Sequence, residues 1–238
     1  MDTAILSLSY AAIAFLVVIA LRPFDKRITL YCGVLFALYL TLDDLATGLP
    51  NLSSSFKFLP GQWNWTGKIY SILLSVVVMF AFGLSRPAVG LTLKQRNVRA
   101  CLIALALSIP WGISLGLIFK PGVSAETLAF QALMPGVAEE LAVRGIAPAL
   151  LLSLFRGKEP PQAPPWAVVF ITAIMFGVWH GLGYSNGSFT FELASFMLTF
   201  VGGIALGWLR FSSGSLLFPI LVHGAANVVF HLTALIGA

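Results

Sequence analysis

Eight apolar stretches, at about residues 3–21, 28–43, 68–85, 100–119, 129–155, 166–183, 191–209 and 215–236, leave this chain of 238 residues little choice but a bundle of membrane helices. A helix needs roughly 20 apolar residues to cross a hydrocarbon core about 30 Å thick, and most of these stretches are near that length. Composition excludes an ordinary soluble globule: 58% of residues are hydrophobic, 10% are charged, and mean hydropathy is +0.93. The expected fold class is all-α, a polytopic membrane helix bundle of about eight transmembrane helices in a single integral membrane domain over residues 1–238.

The net charge of +5 does not indicate a nucleic-acid partner, because the basic residues are spread through the short connections and do not form one patch. Their spread is a topology signal. Assigning alternate connections to one side collects Arg22, Lys26, Arg27, Arg86, Lys94, Arg96, Arg99, Arg156, Lys158 and Arg210 there, against Lys57, Lys68 and Lys120 on the other. Basic connections are retained in the cytoplasm, so both termini are expected outside, in the plasma membrane of a prokaryote. Cys32 and Cys101 sit in apolar stretches with no CxxC and no neighbouring histidine, and are expected to be buried spectators. The longest connection, about 44–67, carries Phe56, Phe58, Trp63 and Trp65, which suit an aromatic belt at the membrane interface, with substrate gating as the alternative.

Within the fifth stretch stands Ala138-Glu139-Glu140-Leu141-Ala142-Val143-Arg144-Gly145. Each charge at bilayer depth costs on the order of 2.5–3.5 kcal/mol on insertion scales, so such residues face a bundle interior and point to a functional site. Arg144 lies one helical turn after Glu140 and can pair with it; Glu139 points about 100° away and needs another partner. Pro135-Gly136, just before the glutamates, is expected to break or tilt this long helix.

The later stretches hold few other strongly polar side chains, and their spacing is regular. Phe176 and His180 share a helix face, as do His223 and Asn227, the latter pair separated only by small residues that let helices approach closely. These groups are placed to converge with the glutamates on one pocket. His231, one turn further on, is expected to be an ordinary interhelical hydrogen-bonder.

Glu139-Glu140-x-x-x-Arg144, Phe176-x-x-x-His180 and His223-x-x-x-Asn227, in that order, resemble the three motifs of the CPBP family, the CAAX proteases and bacteriocin-processing (Abi) intramembrane proteases related to the type II prenyl-protein endopeptidases. The resemblance covers about residues 128–231, a catalytic core; Gly61 to Lys68 and Gly90-Leu91-Thr92-Leu93 are similar to looser upstream features. It implies a conical active-site cavity and hydrolysis of a peptide bond in a lipidated or membrane-associated peptide. It also implies that Glu139 and His180 activate a water and that His223 and Asn227 stabilise the oxyanion, with Phe176 packing beside His180.

The residues themselves suggest the same division of labour. Glu140, paired with Arg144, suits an orienting role, whereas Glu139, desolvated beside a second carboxylate, is the better base. An oxyanion needs preorganised donors about 2.7–3.1 Å away, and Asn227 and His223 can supply two. No cofactor is expected, although Glu139, His180 and His223 are also the three ligands a catalytic zinc would need. A transporter would need polar groups along a path through several spans, and the early stretches offer almost none apart from Asp43 and Asp44 at a span end. A non-catalytic scaffold or immunity protein is the remaining alternative. The expected partners are membrane lipid and a peptide or lipidated protein substrate.

Overall fold

The computed structural model describes residues 2–236. Its helices are α1 (Asp2–Leu21), α2 (Leu30–Leu52), α3 (Trp65–Ala81), the single turn α4 (Arg86–Val89), α5 (Val98–Phe119), α6 (Ala125–Glu140), α7 (Ala147–Leu151), α8 (Trp166–Gly181), α9 (Leu193–Ser213) and α10 (Leu217–Leu232). Side-chain caps set several starts: the Thr29 hydroxyl accepts from Cys32 N–H, the Asn64 carbonyl from Gly67 N–H, and the Ser124 hydroxyl from Thr127 N–H.

Every expected apolar stretch carries a helix, but among the described residues only five helices are long and apolar enough to cross a membrane. The shortfall has a physical origin. Helices α3 and α8 have 17 and 16 residues, about 24–26 Å of rise, just under a full hydrocarbon core. The fifth stretch is not one α-helix, since α6 and α7 are joined by a π-helical turn, Leu141–Ile146. The break is therefore six residues beyond Pro135, which α6 passes through; π turns of this kind are frequent at functional sites. Conversely, α2 runs on to Leu52, so Asp43 and Asp44 lie inside it and not at a span end.

The fold is also not purely helical. Immediately after α8, β1 (Leu182–Ser185) pairs antiparallel with β2 (Ser188–Phe191), turning at Asn186-Gly187, both with positive φ. Asn-Gly is the commonest sequence signal for such a two-residue turn.

The main apolar core gathers side chains from α1, α2, the π turn, α7 and α8. Helix α10 crosses α6 at close range: a Cβ on Gly224 would lie 2.8 Å from the Ala132 carbonyl oxygen, and one on Gly136 would lie 3.0 Å from that of Ile220. Small residues at this crossing bring His223 and Asn227 against the glutamate helix. Both cysteines are free and buried.

Candidate active site

Glu139 and Glu140 end α6, and the π turn that follows carries Arg144 into the same protein interior. Glu140 is fully buried, and its Oε1 accepts from Arg144 Nη1 at 3.0 Å and faces His223 Nδ1 at 2.8 Å. A guanidinium and an imidazole on one buried carboxylate are what its charge requires. The Arg144 guanidinium lies over the Phe176 ring, 4.2 Å from its centre, in a cation–π contact. The same ring packs against His180 and His223, with centroids 4.5 and 6.1 Å away. Phe176 thus separates and orients three site residues.

Glu139 finds its partner on another helix, where spacing along its own gives no sign of it. Lys68, in the first turn of α3, places Nζ 2.7 Å from Glu139 Oε1. The further partner that Glu139 is expected to need is thus a counter-ion on another helix. Its other oxygen lies 3.9 Å from His223 Nε2.

Hydrogen bonding fixes what each imidazole offers. His180 Nδ1 is 2.8 Å from the Phe176 carbonyl oxygen, so that nitrogen carries the proton and Nε2 presents a lone pair. His223 directs Nδ1–H at Glu140 in the same way, leaving its Nε2 a lone pair beside Glu139. A neutral His223 is thus an acceptor there; it donates to an oxyanion only as imidazolium. Asn227 has spent one amide hydrogen on Gln131 Oε1 at 2.9 Å, and its second remains.

Glu139 and His180 line a cavity of about 180 Å³ together with Lys68, Asp43, Asp44, Ser71, Thr47 and Trp179. His223 reaches this cavity only through its contact with Glu139, and Asn227 lies off it, one turn further along α10. Asp43 accepts the Ser71 hydroxyl at 2.6 Å, and Asp44 accepts that of Ser7. His231 binds the Gly122 carbonyl at 2.7 Å, the ordinary role expected of it.

The aromatic connection is shorter than expected, since α2 consumes its first third. Trp63 stacks on Phe130 and gives its indole N–H to Thr127, while Trp65 packs edge-on to the same ring. Glu126, in the first turn of α6 outside the apolar stretch, accepts from Gln62 N–H, Trp63 N–H and the Trp65 indole. Partial burial would push its carboxyl up, but these donors, with Lys57 nearby, hold it below the ordinary range. Both tryptophans therefore dock the connection onto α6, while Phe56 and Phe58 remain exposed.

Among the described residues no group of three or more histidine, cysteine or acidic side chains is arranged to hold a metal ion. Residues 121–229 match the family model described as type II CAAX prenyl endopeptidase, Rce1-like. The chain matches no curated protein and no solved structure. The five long apolar helices mark an integral membrane protein, and residues 121–229 of it are similar to a protease family.

Proposed function

With residues 121–229 a domain of the Rce1-like type II CAAX prenyl endopeptidase family, we propose that the protein is an intramembrane endopeptidase that hydrolyses a peptide bond in a lipidated or membrane-associated peptide. One observation carries the reading. Glu139 and His180 face one cavity, and His180 is locked by Phe176 in the tautomer that leaves Nε2 as a proton acceptor.

In this mechanism a water sits between the Glu139 carboxylate and His180 Nε2. Its oxygen attacks the scissile carbonyl carbon as its proton passes to that pair, and the same pair returns the proton to the amine as the C–N bond breaks. For the oxyanion the mechanism assigns the free amide hydrogen of Asn227, which lies off the cavity one turn along α10 and must close on it with substrate bound; His223 joins it only when doubly protonated. Glu140, Arg144 and Phe176 hold His223 and His180 in place. Lys68 keeps Glu139 oriented and charged within the apolar interior.

The chemistry is read as metal-free. Glu139 already meets the Lys68 ammonium through Oε1, so a divalent ion on Glu139, His180 and His223 would share that carboxylate with a second cation. We also read all eight stretches as crossing the membrane, α3 and α8 being shortened by the cavity they flank, with both termini outside and the protein in a prokaryotic plasma membrane. Its partners are then membrane lipid and the peptide substrate.

The test is cleavage of a fluorogenic library of membrane and CAAX-type peptides by detergent-purified protein, stripped of metal by a strong chelator and checked by elemental analysis. Activity that survives stripping and disappears in Glu139→Gln is the expected result. Activity lost on stripping and restored by zinc would replace this mechanism with a metalloprotease.

A further inference from the structure

The two ends of the bundle differ in charge, and the cavity belongs to one of them. At one end, Leu216 N–H binds the Gly90 carbonyl, Arg96 N–H binds that of Ser213, and Ser153 meets Cys32. These contacts gather the connections around residues 22–29, 82–97, 152–165 and 213–216. At the other end, Glu126 binds the backbone of Gln62 and Trp63, Asn64 binds the Thr47 carbonyl, and His231 binds that of Gly122. Ten of the 14 lysines and arginines lie at or within a helical turn of the first group of connections. At the opposite end Lys68 is spent on Glu139, which leaves Lys57 and Lys120 as the remaining basic residues there.

The cavity lies toward this second end. His180 is the penultimate residue of α8 and is exposed, and Lys68 is the fourth residue of α3. Measured along those helices, each lies about 20 Å from the basic end, two-thirds of a hydrocarbon core. Glu139 stands midway along its own segment, and the cavity runs from it toward the ends where His180 and Lys68 sit.

We infer that the cavity opens on the non-cytoplasmic face of the membrane, and that its substrate is a peptide presented from outside, tethered by a lipid or a membrane helix, and not a cytoplasmic tail. Basic connections stay in the cytoplasm, so the face of the cavity follows from the packing. The inference takes the substrate class from the protease reading but not its sidedness.

The experiment is thiol labelling of spheroplasts with a membrane-impermeant maleimide. Single cysteines replace Phe58, exposed at the cavity end, or Leu93, exposed at the basic end, in a chain with Cys32→Ala and Cys101→Ala. If that background fails to accumulate, the native chain serves, because its own cysteines are buried. Phe58→Cys is expected to label in intact spheroplasts and Leu93→Cys only after permeabilisation. Labelling of Leu93→Cys in intact spheroplasts, or protection of Phe58→Cys, overturns the inference. The readout needs no turnover, so outside labelling of Phe58→Cys with no proteolysis of any peptide would count against the protease reading alone.

Discussion

Two adjacent acid pairs lie in apolar helices of this protein, Asp43-Asp44 on α2 and Glu139-Glu140 on α6; both aspartates and Glu139 line one cavity, and the two pairs have different partners. The glutamates are met by cations or potential cations: Lys68 on Glu139, and Arg144 with His223 on Glu140. The aspartates take neutral hydroxyls from Ser71 and Ser7. A carboxylate facing an ammonium or guanidinium is built to stay charged in a low-dielectric interior; one facing a hydroxyl is only hydrogen-bonded. The difference marks the glutamate pair as chemical machinery and the aspartate pair as cavity wall.

The comparison predicts unequal consequences of neutralising each pair. Glu139→Gln removes the proposed base and is expected to lower peptide cleavage by roughly 100- to 10,000-fold while leaving thermal unfolding in detergent nearly unchanged. Arg144→Met strikes the other glutamate and should do the reverse kind of damage. It strands Glu140, which is 0% exposed, and costs about 3–5 kcal/mol of stability, read as a lowered unfolding midpoint. Glu140→Gln combined with Arg144→Met should recover most of that loss, because the stranded charge goes with its partner.

The difference between the pairs also explains what was readable beforehand. Insertion cost at bilayer depth pointed to Glu139-Glu140, and helical spacing paired Arg144 with Glu140. The same cost argument applies equally to Asp43-Asp44, but the α2 boundary was placed at residue 43, nine residues before the helix ends, so the aspartates looked peripheral. Spacing along one helix cannot reveal a partner on another, which is why Lys68 was not assigned to Glu139, nor Gln131 to Asn227. The π turn was illegible for a related reason. Pro135 is the residue that normally breaks a helix, yet α6 passes through it and the ladder reorganises six residues later, where Arg144 lies over the Phe176 ring of α8, a contact that spacing along one helix does not show. The Asn186-Gly187 hairpin signal was in the sequence and was overshadowed by the apolar stretches around it.

Smaller effects sharpen the contrast. Lys68→Met leaves Glu139 in place but without its orienting ammonium, and misplacement of a reacting group costs up to about 100-fold, so a fall of roughly 10- to 100-fold in kcat is expected. Lys68→Arg, which keeps the charge in a different shape, should restore part of it. Asp43→Asn should be milder on both measures, near 1 kcal/mol in stability and under about tenfold in rate, since an amide oxygen still accepts the Ser71 hydroxyl. A loss with Asp43→Asn as large as that with Glu139→Gln would erase the distinction between machinery and wall.

Glu126 supplies a third case outside the membrane, an acid whose charge is met by neutral N–H donors. Three of them converge on its Oε1, from Gln62, Trp63 and Trp65, and they fasten the aromatic connection to α6. Its carboxyl is held below the ordinary value of 4.5, so the docked state binds that proton more weakly than the undocked one. The sign follows from linkage: the stabilisation is complete above the undocked value and is lost as pH falls through the docked one. Docking should therefore be constant from neutral pH to about 5 and loosen only below 4.5. Limited proteolysis between residues 53 and 64 reads this directly, and Glu126→Gln, which keeps an acceptor oxygen but cannot titrate, should raise cleavage modestly at neutral pH and flatten the acid response. Equal acid sensitivity in both proteins would assign the loosening to other groups and leave Glu126 as a simple hydrogen-bond acceptor, in contrast to the glutamate pair, where Lys68, Arg144 and His223 meet the charge.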